Sequence, residues 1–297
     1  MGGPIIDIVR HAQAYNNIPG PKTLDPDLTH LGNKQCDKLR DSYPHMDRVK
    51  LIVSSPLRRT IQTACTAFST AIAQDLPRIA LLAELQENSA RAGDTGSPLS
   101  ALSTLVEELG FPLDTSELRG GGETWYHKGP GTAYYPSLKK VEERARVARV
   151  WIRNKARELD DGDRLVVVTH GAFAHFLVQD FAGLHAGRGS GVWLNAGFRS
   201  FQFVDLLGDD PDAAMSELPA TTMVQLLDSR GMPTSPWCEL TSEEQALNKS
   251  YAVARLKRHE LDAFRIFSRE FEWDDLAGMF VPRTSGISTD RTGDDVD

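Results

Sequence analysis

The stretch that decides the fold reads Leu165-Val166-Val167-Val168-Thr169-His170-Gly171. Its apolar half is short and rich in β-branched residues, which is typical of a strand buried on both faces of a parallel sheet. Two further runs of this kind are Pro4-Ile5-Ile6-Asp7-Ile8-Val9 and Leu51-Ile52-Val53. The sequence therefore predicts three buried strands, each followed by polar residues.

Helical patterns lie between and after these strands. They are predicted roughly over residues 29–42, with Thr29 as N-cap, over 57–73, over 137–159 and from 171 onward. Because strands alternate with helices, we expect an α/β fold, a three-layer α/β/α sandwich around a mostly parallel central sheet. Residues 198–206 predict an antiparallel edge strand that completes the sheet.

The domain organisation follows from where these patterns stop. One catalytic domain is predicted over residues 1–206, with an inserted lid over about 88–136. Residues 207–281 are expected to form a loop and a helical extension, helical from 240 to about 271, that packs on this domain. Residues 282–297 are polar without an apolar pattern and predict a disordered tail.

The composition argues against several classes of protein. The chain has 297 residues and a net charge of −8, which disfavours nucleic-acid binding because that needs concentrated basic residues. No apolar run approaches the roughly 18 to 20 residues that span a bilayer, so no membrane partner is expected. Three cysteines without disulfide or metal-ligand spacing favour a reducing compartment. We expect a soluble cytoplasmic protein, and the sequence leaves a homodimer open.

Side chains suited to phosphate chemistry follow all three strands. They are Arg10-His11 after the first, Ser54-Ser55-Pro56-Leu57-Arg58-Arg59 after the second and Thr169-His170-Gly171 after the third. The carboxyl ends of strands form the ligand crevice of open α/β sheets. Guanidinium groups bind phosphate oxygens bidentately, and a neutral imidazole can attack phosphorus. Each piece alone is more often a structural or solvated group, but their convergence suits a phosphoryl group.

Taken together, these motifs resemble the histidine phosphatase superfamily, in its phosphoglycerate-mutase-like branch and among fungal-type small-molecule phosphatases. Residues 10–17 are similar to the family's Arg-His-Gly-Glu-Thr-x-x-Asn, and residues 54–64 match Ser-Ser-Pro-Leu-x-Arg-Ala-x-Gln-Thr-Ala. The latter register directs Arg59 to the phosphate and Arg58 outward. Three further segments look like motifs of the family: Leu85-Gln86-Glu87, Gly122-Glu123-Thr124, and the apolar strand followed by His170-Gly171. All five motifs occur along the chain in the family's order.

The resemblance implies a mechanism and a set of site residues. His11 would attack phosphorus, its other ring nitrogen donating to a backbone carbonyl, and water would then hydrolyse the phosphohistidine. His170 would surround the nonbridging oxygens together with Arg10 and Arg59. Glu87 would protonate the leaving oxygen and then activate the water. Glu84 and Asp94 stay open as alternative acids. The expected substrate-binding residues are Arg10, Asn17, Arg59 and Gly171.

The function that this implies is a metal-independent phosphomonoesterase acting on a small phosphorylated substrate, with no cofactor. The sequence has no Asp/Glu/His cluster at metal-ligand spacing. A phosphoglycerate-mutase-type transferase is disfavoured because residues 113–119 offer only Arg119 to grip a carboxylate. An inactive phosphatase-like binding protein is disfavoured because it has no need for four convergent cations, Arg10, His11, Arg59 and His170. An enzyme repurposed for specialised metabolism stays open.

Some details leave substrate handling undecided. Ala12, Gln13 and Ala14 replace the family's commoner Gly, Glu and Ser/Thr, which removes one hydroxyl near the phosphate. Aromatic residues between Trp125 and Tyr135 either line a substrate lid or anchor their loop. His175 is expected on a helix packed against the sheet. The remaining histidines are expected at the surface or in loops: His30, His45, His127, His185 and His259.

Overall fold

Strands and helices alternate along the chain as far as the sixth strand. The structure, a computed structural model, describes residues 3–20, 23–73, 79–111, 113–118, 123–184, 193–219, 241–274 and 279–282. The strands are β1 (Ile5–Arg10), β2 (Val49–Ser54), β3 (Ile79–Leu81), β4 (Leu113–Asp114), β5 (Arg164–Thr169), β6 (Phe198–Phe203), β7 (Met215–Glu217), β8 (Phe271–Asp274) and β9 (Met279–Pro282). The helices are α1 (His30–Ser42), α2 (Arg58–Ala67), α3 (Ser69–Ala73), α4 (Leu99–Leu109), α5 (Leu138–Ala156), α6 (Gly171–Leu177) and α7 (Ser242–Glu270).

The main sheet is mixed but mostly parallel. Its strand order is β4-β3-β2-β5-β1-β6-β7, while β8 and β9 pair separately. The first five strands run parallel, β6 is antiparallel to β1, and β7 is antiparallel to β6. The predicted α/β class and antiparallel edge are therefore confirmed. The expectation that the sheet is complete by residue 206 is wrong, because β7 adds an outer strand of only three residues.

Helices cover both faces of this sheet because the side chains of its strands alternate between two cores. In β5, Val166 and Val168 pack into a cluster with α1 and α2, whereas Leu165 and Val167 pack into a second cluster with α5 and α6. All six residues of β5 are buried, which accounts for its continuous apolar run. Because β5 is buried on both faces, the sheet has a layer of helices on each side, which is the predicted three-layer arrangement.

The strand order brings the predicted functional residues together. Strand β5 lies between β1 and β2, with Arg10 opposite Thr169 and Ser54 opposite Val168. Backbone hydrogen bonds continue this pairing beyond the strands, since His11 N–H donates to Thr169 O at 2.9 Å and Ser55 N–H to Val168 O at 2.9 Å. The residues that follow the three strands therefore lie side by side at the carboxyl-terminal end of the parallel sheet.

The segment predicted as a lid contains helix α4, which sequence patterning did not indicate, and it contacts α7. Asp262 of α7 pairs with Arg91 at 2.8 Å, and Tyr135 Oη donates to Glu260 O at 3.4 Å. Trp125 is buried and packs so closely on Gly96 that a Cβ atom there would lie 2.0 Å from the indole ring. Trp125 therefore anchors its loop.

Some expectations fall outside the part of the chain that the structure describes. They concern Arg119, Gly122, His185, most of the loop before α7 and the tail beyond Pro282. Across the described segments, no helix is both long enough and apolar enough to cross a membrane. The division of the chain at residue 206 stays a proposal.

Candidate active site

His11 occupies the first position after β1 and is 2% exposed. Its Nδ1 lies 2.7 Å from Ala12 O. Because a carbonyl oxygen only accepts, Nδ1 carries the proton and Nε2 keeps its lone pair. Thr63 fixes the peptide that provides this carbonyl, since Ala12 N–H donates to Thr63 Oγ1 at 3.0 Å. The local fold therefore sets the tautomer that a nucleophile at Nε2 requires.

The electrostatics of the site keep the His11 ring neutral. Burial lowers the pKa of His11 well below its ordinary value of 6.5, and the charges of Arg59 and Arg10 lower it further. The hydrogen bond to Ala12 O opposes these effects without reversing them. A neutral imidazole with a lone pair on Nε2 is a nucleophile, whereas an imidazolium is not.

Arg59, in the first turn of α2, is fully buried beside this nitrogen. Its Nε donates to His11 Nε2 at 3.2 Å. Its two terminal nitrogens donate to Gly93 O at 2.6 Å and Asp94 Oδ1 at 3.0 Å. Arg58 instead turns away and pairs with Asp27 at 2.7 Å. The structure thus places Arg59 inside the site and Arg58 outside it, as the motif register predicts.

His170, immediately after β5, contacts the same guanidinium group. Its Nδ1 is 3.1 Å from Arg59 Nη2 and therefore accepts a hydrogen bond, while its Nε2–H donates to Ser55 Oγ at 2.9 Å. The centres of the His170 and His11 rings are 5.1 Å apart. Burial lowers the pKa of His170 well below 6.5, with Arg59 next in effect. The expectation of four cations is wrong, because both histidines are neutral.

Arg10 ends β1 and supplies a second positive charge. Its Nη1 donates to Trp193 O at 2.6 Å. Burial lowers the pKa of Arg10 to about 10, which the Glu87 charge opposes, so the side chain stays charged at neutral pH. Arg199 stacks over Trp193, with Cζ 4.8 Å from the ring centre, and supports the loop that holds Arg10.

Asn17 and Gly171 border this group of residues. Asn17 is exposed, and its Oδ1 accepts from Ala14 N–H at 3.0 Å. Asn195, which sequence reasoning missed, lies 3.5 Å from the same oxygen and donates to His11 O at 2.9 Å. Gly171 is buried at the first position of α6. The roles of Asn17 and Gly171 in substrate binding stay predictions.

Three carboxyl groups near the site have different surroundings. Asp94 pairs with Arg59, and its Oδ2 accepts from the Ser89 hydroxyl at 2.5 Å. Burial alone would raise the pKa of Asp94, but Arg59 and Lys128 outweigh it and hold the pKa below its usual value. Glu87 is half-buried, whereas Glu84 is buried in a 3-10 turn whose carbonyl accepts from Arg144.

Two buried cations that sequence reasoning missed contact the backbone between these carboxyl groups. Lys128 donates to Glu87 O at 2.8 Å, and Arg144 donates to Gln86 O at 2.5 Å. Both cations come from distant parts of the chain and bind carbonyl oxygens, so no spacing of chemically distinctive residues marks them. Within the described ranges, no three His, Cys, Asp or Glu side chains are grouped to hold a metal ion.

Histidines outside the site lie partly where the sequence predicts. His175 is buried on α6, as expected, with Nδ1 2.7 Å from Asp180 O. His259 contradicts the expectation of a surface position, since it is buried on α7 and accepts from Arg255 Nε at 3.3 Å. Its burial depends on α7 docking against the rest of the chain, which no local pattern indicates.

Fold and site together describe an α/β protein in which a buried, neutral histidine lies beside two arginines at the carboxyl-terminal ends of the parallel strands. Comparison with known proteins agrees with this class. Residues 6–92 match the family described as histidine phosphatase superfamily, branch 1. Over these residues the chain is similar to members of this superfamily, and phosphoglycerate mutase-like proteins are among its relatives.

Individual relatives extend the comparison. A phosphoglycerate mutase-like protein of Arabidopsis thaliana is 27% identical over 209 residues, 59% of this chain and 74% of that protein. Phosphoglycerate mutase-like protein 1 of the same plant is 41% identical over 76 residues, 21% of this chain and 27% of that protein. The ecdysone phosphate phosphatase of Bombix mori has a TM-score of 0.48 at 14% identity, covering 80% of this chain and 96% of that one.

Proposed function

We propose that this protein is a metal-independent phosphomonoesterase that transfers the phosphoryl group of a small phosphorylated metabolite to His11 and then to water. The observation that carries the proposal is the state of His11. Its Nδ1–H is held by Ala12 O, its ring is neutral, and its Nε2 lone pair lies 3.2 Å from the buried Arg59. A nucleophile and an anion-binding cation thus share one site.

In the first step of this proposal, the Nε2 lone pair forms a bond to phosphorus while the ester P–O bond breaks. Arg59 and Arg10 neutralise the nonbridging oxygens, and Asn17 and the backbone of Gly171 add neutral contacts. The N–H groups of Arg59 then exchange their contacts with the imidazole nitrogens for bonds to phosphoryl oxygens. Positive charge comes from arginine, so none of these steps requires a metal ion.

Glu87 is assigned as the proton donor and acceptor in both steps. It protonates the leaving oxygen, and the resulting carboxylate then removes a proton from the water that breaks the N–P bond and releases phosphate. Two observations favour it. The Glu87 charge acts on Arg10, the residue before His11, and the lowered pKa of Asp94 makes that group a poor acid.

The decisive experiment compares His11→Ala with His30→Ala, which removes an exposed histidine at the start of α1. Both variants and the parent protein would be incubated in EDTA with p-nitrophenyl phosphate and a panel of sugar, nucleotide and isoprenoid phosphates. Phosphate release would be measured, and alkaline-quenched samples would be searched by mass spectrometry for a phosphorylated histidine.

We expect phosphate release and a phosphohistidine in the parent protein and in His30→Ala. In His11→Ala the label should be lost and release should fall by at least about 1,000-fold, because no other group replaces the nucleophile. Unchanged hydrolysis by His11→Ala would refute the assignment. Labelling without release to water would favour the phosphoglycerate-mutase-type transferase.

A further inference from the structure

Lys128 is a buried lysine near the site. Its ammonium group donates all three of its protons in hydrogen bonds to backbone carbonyl oxygens. The residue is 5% exposed. Its Nζ donates to Glu87 O at 2.8 Å, Ser89 O at 2.9 Å and Asp94 O at 2.5 Å. Three donors therefore meet three carbonyl acceptors, which is the full capacity of an ammonium group.

These three carbonyls belong to one functional stretch, residues 84–94, which we call the acid segment. It carries the assigned acid, Glu87, near its middle. At its end, Gly93 O accepts from Arg59 Nη1 and the Asp94 carboxylate accepts from Arg59 Nη2. One ammonium group thus contacts both the residue that donates the proton and a residue that orients the phosphate-binding arginine.

Arg144 of α5 holds the other end of the acid segment. Its Nη1 donates to Gln86 O at 2.5 Å and to Glu84 O at 3.3 Å, and its Nη2 donates to Asn88 Oδ1 at 2.8 Å. Its guanidinium group stacks over Phe173, with Cζ 4.2 Å from the ring centre. The acid segment is therefore bound from two sides by cations that belong to different elements.

Holding Lys128 in this position is costly. Burial lowers its pKa to about 7, with Asp94 acting in the opposite direction and Arg144 lowering it further. A neutral polar side chain could bind one or two of the carbonyls without this desolvation. Shifted pKa values cluster at functional sites, and here the shifted group is the one whose three hydrogen bonds reach the acid segment.

We propose that Lys128 is a positioning residue for phosphoryl transfer, which holds Glu87 against the leaving oxygen and Asp94 against Arg59. The proposal rests on the proposed function. Lys128 contacts neither reacting atom; it acts through the backbone of the acid segment. Its loss should therefore impair proton donation more than phosphate binding.

The test uses esters that differ in their need for an acid. An alkyl phosphate requires protonation of its leaving oxygen, whereas 2,4-dinitrophenyl phosphate does not. We expect Lys128→Met to lower kcat/KM by about 100-fold for the alkyl ester and by less than about 10-fold for the dinitrophenyl ester, since general acid catalysis contributes about 100- to 10,000-fold. Lys139→Met, at an exposed position of α5, is the matched control and should change neither value.

A double-mutant cycle makes the test specific to Glu87. Glu87→Gln should show the same dependence on the leaving group, and adding Lys128→Met to it should lower kcat/KM for the alkyl ester by less than about threefold more, because the two residues act as a unit. Equal losses for both esters, or full additivity in the cycle, would overturn the proposal.

A measurement without substrate separates this proposal from the proposed function. In Lys128→Met, hydrogen exchange of amides in residues 84–94 should be at least about 10-fold faster, while the amides of α5 keep their protection. If the parent protein hydrolyses nothing, the proposed function fails and the exchange rates alone decide on Lys128. Unchanged exchange in the acid segment would overturn the positioning role in either case.

Discussion

Replacing Asp94 by asparagine should destabilise the protein and make it more sensitive to phosphate. The Asp94 carboxylate pairs with Arg59 at 3.0 Å, with side-chain exposures of 19% and 0%. Breaking a buried ion pair by removing one charge costs about 3–5 kcal/mol, because the remaining charge is left uncompensated. Asparagine keeps one oxygen for Arg59, so we expect a loss near the lower end, about 3 kcal/mol in the free energy of unfolding.

A phosphate ion should offset part of this loss. In Asp94→Asn the guanidinium of Arg59 lacks its carboxylate partner, so a phosphate dianion binds it more tightly than in the parent protein. A ligand that binds only the folded state stabilises it by about 2.7 kcal/mol at 100 times its Kd. If Kd falls about 10-fold in the variant, phosphate at one concentration well above both Kd values should stabilise the variant by about 1.4 kcal/mol more than the parent.

Urea denaturation with and without inorganic phosphate measures both effects. Asp262→Asn is the matched control, because its pair with Arg91 has a similar distance of 2.8 Å but side-chain exposures of 30% and 62%. Exposed pairs contribute about 0–1 kcal/mol, so this variant should stay within that range and respond to phosphate like the parent. Equal stability of the two variants, or equal phosphate stabilisation of Asp94→Asn and the parent, contradicts the reasoning.

Two further substitutions test the supports of the site. Thr63→Val leaves the buried Ala12 N–H without its acceptor, so the free energy of unfolding should fall by about 1–3 kcal/mol in urea denaturation. The control Thr66→Val, at a half-buried position of the same helix, should cost under about 0.5 kcal/mol, and similar losses in the two variants would contradict the prediction. Burial, and then the Arg255 charge, lowers the pKa of His259 from 6.5 to about 4. As pH falls, the unfolded chain therefore binds a proton at His259 before the folded protein does. The contribution of this residue to the free energy of unfolding is complete above pH 6.5 and is lost towards pH 4. Between pH 7 and 5 the parent should lose about 2 kcal/mol more than His259→Gln, and equal pH slopes in urea denaturation would refute it.

The central strands and the polar residues that follow them could be predicted from the sequence, because the buried apolar runs end directly at those residues. Strand β5 is buried on both faces, so its run of valines is continuous and ends where His170 begins. The register of the second motif distinguishes Arg59 from Arg58, because neighbouring helical residues differ by about 100° in direction. His11 and His170 then lie close together because β1 and β5, the strands they follow, are parallel neighbours in the sheet.

The parts that the sequence does not predict depend on contacts between distant segments. Strands β3, β4 and β7 have two or three residues, too few for an alternating pattern to appear. Asn195 and Lys128 bind backbone carbonyls, and every residue has a carbonyl, so their partners carry no side-chain signature. His259 sits on a helix whose buried side is defined only after α7 has docked.

The protonation states of the two histidines bear on the roles that the proposed reaction gives them. Both rings are neutral, and Arg59 donates towards a lone pair on each, at His11 Nε2 and His170 Nδ1. In the proposed reaction, phosphoryl oxygens would take these donors, and the lone pair of His11 would face phosphorus as the nucleophile. The lone pair of His170 then faces an anion, whose negative charge favours protonation and raises the pKa of that ring. In the proposed reaction the two histidines would therefore have different roles, because the carbonyl of Ala12 fixes the proton of His11 on Nδ1, whereas the hydroxyl of Ser55 can accept from His170 in either charge state.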